Sequence, residues 1–157
     1  MHIEHNQQLE VHNLISFRKV VTPHELNELG ERMLAYAQSQ GAQKVGGGIS
    51  ATYAMYGNKF DVAMYVPINK EIPSSEEFEY KKKLLLVNCI KMTYKGHPQG
   101  LEAALVKMNE YTATQGLTPV SVCFIVTANE AAKSKEFNKV EVDVYIPISE
   151  DINEKQQ

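Results

Sequence analysis

Two short stretches of this chain set acids and phenols at alternating positions. Asp61, Ala63 and Tyr65 share one side of a run whose other side is Phe60, Val62, Met64 and Val66. Glu141, Asp143 and Tyr145 do the same opposite Val140, Val142, Val144 and Ile146. Successive side chains of a strand point to opposite faces, so each run predicts one apolar face for packing and one face where carboxylates and phenols meet. That second face has two readings. It meets water, as one side of an antiparallel sheet commonly does, or it lines a cleft where two related halves join. In a cleft an unpaired carboxylate is costly, a cationic ligand relieves it, and tyrosine rings attract the same charge through their faces. On the cleft reading Asp143, Glu141, Tyr145, Tyr65 and Asp61 bind the ligand, which is a small lipophilic or cationic aromatic molecule.

Other chemistries are poorly supplied. The five histidines, His2, His5, His12, His24 and His97, form no i,i+4 pair and neighbour no cysteine, so no zinc site is expected. Gly46-Gly47-Gly48 enters a strand-like run and lacks the Lys-Ser/Thr and helix start of a phosphate loop. A bulge or a close strand approach is the expected role. No nucleophile elbow or triad is evident. Were the chain an enzyme, Asp143 or Glu141 would be the acid–base group and Tyr65 or Tyr145 its hydrogen-bonding partner. Tyr36 and Tyr111 lie on apolar helix stripes and read as core. No cofactor is implied.

The elements that must position these groups occur twice. At an offset of 75, Asn13 pairs with Asn88, Ile15 with Ile90, Pro23 with Pro98, Met33 with Met108, Gly41 with Gly116 and Thr52 with Thr127. Beyond that the offset is 80, pairing Lys59, Val62, Tyr65, Pro67 and Ile68 with Lys139, Val142, Tyr145, Pro147 and Ile148. Thr22-Pro23-His24-Glu25 carries a capping hydroxyl, a first-turn proline and a reciprocal glutamate, which start a helix. Leu26, Leu29, Met33, Tyr36 and Ala37 continue it, and Gly41 ends it. In the second copy Pro98 starts the helix and Gly116 ends it, with His97 a poorer cap. Strands are predicted at 11–21, 44–56, 59–68, 84–95, 120–127 and 140–148, the second and third joined by the hairpin signal Gly57-Asn58.

The expected fold is therefore α+β: two β-α-β-β repeats about a pseudo-twofold axis, with an antiparallel curved sheet and helices on one face. It forms a single domain over 1–157, with repeat one at 9–68, a linker at 69–83, repeat two at 84–148 and a polar tail at 149–157. The five extra residues fall in the loop 128–138, where a helical turn fits. Lys81-Lys82-Lys83, after Glu76, Glu77 and Glu79, reads as solvated linker.

With 157 residues the chain can bury a core of its own. A net charge of −3 lacks the basic footprint of a nucleic-acid binder. The start lacks signal-peptide grammar, and no apolar run reaches the roughly 20 residues of a membrane span. A cytoplasmic location is expected, with Cys89 and Cys123 as buried, reduced thiols.

The stretches Met64-Tyr65-Val66-Pro67-Ile68 and Val142-Asp143-Val144-Tyr145-Ile146-Pro147-Ile148 resemble the strand ending of the GyrI-like, or SHS2-duplicated, small-molecule-binding family. That bacterial family comprises the effector domains of multidrug-responsive regulators and stand-alone proteins. The resemblance implies a ligand cleft with an acid four residues before the second proline, the position of Asp143, where the family usually has glutamate; Glu141 is the other candidate. No helix-turn-helix segment accompanies the domain, so the reading is of a free-standing binding module. Gyrase inhibitors and small hydrolases among the family's free-standing members imply two alternatives, a protein-interaction or inhibitor module and a hydrolase using a cleft acid.

Overall fold

A computed structural model describes residues 2–127 and 139–149. The fold is α+β, with six strands and two α-helices among the described residues, in two β-α-β-β repeats. The chain divides into two compact units, Glu10–Leu85 and Met1–Leu9 with Leu86–Gln157.

The unit Glu10–Leu85 takes most of β1 (Ile3–Val21), then α1 (Pro23–Ser39), β2 (Ile49–Tyr56), β3 (Lys59–Pro67) and the start of β4 (Glu79–Gly96). The predicted capping box is present. Thr22 Oγ1 accepts from the Glu25 amide at 3.2 Å, and Glu25 Oε1 accepts from the Thr22 amide at 2.9 Å, so two orphan donors are satisfied reciprocally. Leu29, Met33 and Ala37 of α1 bury against Phe17 and Val21 of β1 and Val62 and Val66 of β3, with Phe60 and Met64 alongside. This is the apolar face that the alternation predicted. Gly41 ends the helix at φ 82°, and β2 turns into β3 through Gly57, at φ 66°, and Asn58, with Tyr56 opposite Lys59.

The other unit contains the rest of β4, a 3₁₀ turn at Pro98–Gly100, α2 (Leu101–Thr114), β5 (Phe124–Thr127) and β6 (Val140–Pro147). Its core joins Ile90, Met92, Met108, Val142, Val144 and Ile146. Both internal offsets hold in the strand register. Leu14 faces Pro67 as Cys89 faces Pro147, and the bridge between Lys44 and Ile68 recurs between Pro119 and Ile148. Asn13 (φ 59°) and Asn88 (φ 53°) share the left-handed conformation, which explains why asparagine stands at both positions.

Several boundaries differ from expectation. β1 begins at Ile3 rather than 11, because mostly exposed polar residues mask its alternation. β4 begins at Glu79, so the three lysines lie in a strand and not in a linker, although Lys82 and Lys83 are exposed as expected. β2 starts only at Ile49, since the glycine run has no side chains to hold a pleat; a Cβ on Gly46 would stand 3.3 Å from Pro67, the close approach expected there. His97 caps only the 3₁₀ turn, its Nδ1 accepting from the Gln99 amide at 3.1 Å, and α2 follows at Leu101 without a side-chain cap. Cys89 is buried, whereas Cys123 is half-buried. The loop 128–138, with its expected helical turn, and the tail from 150 lie outside the described residues. Among the described residues no helix is long and apolar enough to cross a membrane.

Candidate functional site

Residues directly opposite one another in an antiparallel pair share a face of the sheet. On the side away from α1, the register therefore builds three rows: Ser16, Tyr65 and Ile49; Arg18, Ala63 and Ala51; Val20, Asp61 and Ala54. Ile49 is 0% exposed and Ser16, Ala51 and Ala63 are each 2% exposed, so these positions are not a water-facing side of the sheet.

A register shift between Thr52 and Ala54 leaves Tyr53 as the extra residue of a bulge in β2. Tyr53 continues the alternation of Ile49 and Ala51, and so falls beside Arg18. The Arg18 guanidinium carbon lies 3.8 Å from the centre of the Tyr53 ring. The same group is forked onto Asp61, with Nε donating to Oδ1 at 3.1 Å and Nη2 donating to Oδ2 at 3.0 Å. Those bonds hold the Asp61 carboxyl below its ordinary range and push the Arg18 guanidinium further up. Burial, with the neighbouring Tyr53 phenol, raises the Tyr65 hydroxyl above its usual value of 10.

Arg18, Tyr53 and Tyr65 border a recess of about 360 Å³, whose other walls are Ser16, Phe17 and the segment Ser75 to Glu79, with Lys81; Asp61 stands behind Arg18 and does not line it. The segment is held firmly. Phe78 is buried edge-on against Phe17, with ring centres 6.2 Å apart, and lies 6.0 Å from Tyr36. The Phe78 amide donates to Ser75 Oγ at 3.0 Å, the Ser75 amide donates to the Phe78 carbonyl at 2.8 Å, and Ser16 Oγ donates to the Glu79 carbonyl at 3.1 Å. Three glutamates on this segment meet two cations along the recess, leaving an excess of one negative charge. Glu77 is clasped by Arg32 and Glu79 by Lys81 at 2.9 Å, while Glu76 has no ion-pair partner among the described residues.

In the other unit the corresponding rows are Lys91, Tyr145 and Phe124; Thr93, Asp143 and Val126; and Lys95 with Glu141. Thr93 Oγ1 donates to Asp143 Oδ1 at 2.6 Å, and Lys91 Nζ lies 4.0 Å from Asp143 Oδ2 and 5.6 Å from the Tyr145 ring centre. Lys95 Nζ is 3.7 Å from Glu141. Burial raises the Tyr145 hydroxyl, and Lys91 opposes that shift.

Of the five sequence candidates, Tyr65 and Asp61 share one face of one unit and Asp143, Glu141 and Tyr145 one face of the other, and of the five Tyr65 alone borders the recess. Each of the three acids has a partner from the adjacent strand, so none is the unpaired carboxylate that the sequence argument assumed. The alternation Ser16, Arg18, Val20 was a signal for Arg18, and Ile49, Ala51, Tyr53 for Tyr53. Phe78 lies in a polar stretch with no periodicity to mark it. Among the described residues no three His, Cys, Asp or Glu side chains gather where they could hold a metal ion.

No family model and no curated protein matches the sequence. Solved structures do match. The C-terminal domain of EcmrR superposes with a TM-score of 0.70 at 12% identity, covering 96% of this chain and 99% of that one. Against EcmrR in its complex with DNA the TM-score is 0.72 at 11% identity, covering 94% of this chain, which spans only 58% of that longer one. A hydrolase from Listeria innocua gives 0.60 at 9% identity over 94% of this chain and 90% of that one. SAV2435 bound to tetraphenylphosphonium gives 0.56 at 13% identity over 95% and 94%. At such identities the likeness is one of architecture, and that architecture is a GyrI-like fold.

Proposed function

We propose that this chain is a binding module for small lipophilic cations, and that they sit in the recess bordered by Tyr53 and Tyr65. The observation that carries the reading is the recess itself: the phenols Tyr53 and Tyr65 face a segment whose acids outnumber the lining cations by one. At about 360 Å³ it falls within the range of small-molecule sites. Aromatic walls favour flat or apolar surfaces, and the acidic rim selects among them for positive charge. The fold shared with tetraphenylphosphonium-bound SAV2435 and with the EcmrR C-terminal domain supports the same reading.

Calorimetric titration with tetraphenylphosphonium, alongside neutral triphenylphosphine oxide, tests it. The cation is expected to bind and the neutral compound to bind at least tenfold more weakly, with Tyr65→Ala losing about tenfold in affinity for the cation. Equal binding of the two compounds, or an unchanged Tyr65→Ala, would refute the assignment. The row of Lys91, Asp143 and Tyr145 offers related groups in the other unit, and Asp143→Asn measures its share of the binding.

A hydrolase is the second reading. It is favoured by Asp143, whose Oδ1 takes a short bond from Thr93 while Oδ2 keeps only a distant lysine, and by the fold shared with the Listeria innocua hydrolase. Turnover of a reactive ester that Asp143→Asn abolishes and Asp61→Asn leaves intact would establish it.

A further inference from the structure

We propose that Arg18 is a resident cation occupying the ligand's own place, and that the molecules able to displace it are planar aromatic cations bearing a fork of N–H donors, such as amidiniums. This rests on the recess being the binding site. The Arg18 guanidinium makes two contacts at once: its flat face lies on Tyr53 at 3.8 Å, and its edge is forked onto both oxygens of Asp61. A tetrahedral onium ion can replace the first contact but has no N–H for the second. An aromatic amidinium can replace both, because its donors are spaced for a carboxylate and its ring can stack.

Arg18 is free to leave. Its side chain is 55% exposed, against 19% for Asp61, so swinging into water forfeits little solvation while the aspartate stays behind on the sheet, next to the recess that Arg18 lines. Nor does the fold demand an arginine here. The position matching Arg18 in the second copy is Thr93, which faces Asp143 as Arg18 faces Ala63, and which satisfies its acid by a hydroxyl. Arg18 would thus set a threshold: weak cations fail to compete with it, and forked aromatic ones take over its contacts.

The test uses the fluorescent bis-amidine 4′,6-diamidino-2-phenylindole and tetraphenylphosphonium with the full chain. Removing the competitor in Arg18→Gln should tighten binding of the bis-amidine about tenfold, and adding Asp61→Asn to that variant should cancel the gain. Arg18→Lys, which keeps the charge but not the fork, should fall between. In the unaltered protein, the bis-amidine should shift and broaden the Arg18 Nε–H resonance, a readout that needs no variant to fold. An affinity that is unchanged or weaker in a folded Arg18→Gln, or an Arg18 resonance indifferent to saturating bis-amidine, overturns the proposal. If tetraphenylphosphonium binding depends on Tyr65 while these Arg18 effects are missing, this inference alone fails. If no cation binding depends on Tyr65, the recess assignment fails with it.

Discussion

Asparagine at positive φ offers a way to weigh backbone strain against a buried hydrogen bond at matched sites. Asn88 (φ 53°) and Asn6 (φ 56°) adopt the same left-handed conformation, but Asn88 Nδ2 also donates to the Ile148 carbonyl at 2.9 Å in a part-buried setting, whereas Asn6 is exposed. Alanine in that conformation is worse than asparagine by about 1 kcal/mol, and losing a part-buried hydrogen bond costs about another 1 kcal/mol. Asn88→Ala should therefore cost about 2 kcal/mol, and Asn6→Ala about half of that. Glycine carries no steric penalty there, so Asn88→Gly should recover part of the loss and stand about 1 kcal/mol below the parent protein. Asn13, whose Oδ1 accepts from the Tyr80 hydroxyl, should follow Asn88. Urea denaturation gives the differences from midpoints at constant slope, and the Asn88→Ala midpoint temperature should fall by roughly 5 °C. If glycine proves as damaging as alanine at 88, or if Asn6→Ala is as costly as Asn88→Ala, the division into strain and hydrogen bond is refuted.

Other perturbations test the packing and the caps. Met33 and Met108 are fully buried at matching positions, and truncating either to alanine should cost about 2–5 kcal/mol in urea denaturation, through lost transfer energy and the cavity left behind. Glu25 is held below its ordinary pKa by hydrogen bonds from the backbone and side chain of Thr22. Its contribution is therefore complete above the usual glutamate range and disappears as pH falls through the lowered value. The stability gap between the parent and Glu25→Ala should accordingly be open at pH 7 and close below about pH 4. Burial pushes the Cys89 thiol up to about 11, so under native conditions at pH 8 a disulfide reagent should modify half-buried Cys123 well before Cys89; equal rates would contradict the burial.

How much could be read from the sequence depended on the range of the interaction. The Thr22, Pro23 and Glu25 cap and the Gly57-Asn58 turn were legible because each is settled by neighbours within four residues. The register of β1 with β3 was legible only in outline. Both offsets said that Leu14 with Pro67 and Cys89 with Pro147 are equivalent, yet not that they face each other. This is why Asp61, Asp143 and Glu141 were recognised while Arg18, Lys91 and Lys95 were not: the cations belong to strands more than 40 residues away, and alternation within one strand is blind to the strand beside it. Phe78 was hidden differently. A single aromatic among glutamates carries no period, although its ring against Phe17 fixes where the acidic rim stands.

Comparing the two copies separates what the scaffold requires from what the site has added. Tyr65 and Tyr145 occupy one position, and Asp61 and Glu141 another, so a phenol and an acid on this face belong to the shared design. The cations do not follow the repeat. The positions equivalent to Lys91 and Lys95 are Ser16 and Val20, while Arg18 is matched by Thr93, so each copy balances its acids from different rows. Tyr53 is equally particular: it is the extra residue of the β2 bulge and falls where the offset changes from 75 to 80, so the repeat assigns it no counterpart. A face retained only for stability would tolerate any arrangement that neutralises its carboxylates, since exposed ion pairs contribute little and are readily exchanged. The first copy instead stacks a forked cation upon a ring that the fold does not demand, beside a recess that its buried neighbours keep open. If that arrangement were merely one neutralisation among several, transplanting the second copy's solution through Arg18→Thr with Ala63→Asp should leave cation binding as it was; a selective change there, with the midpoint in urea little moved, would tie the asymmetry to the ligand.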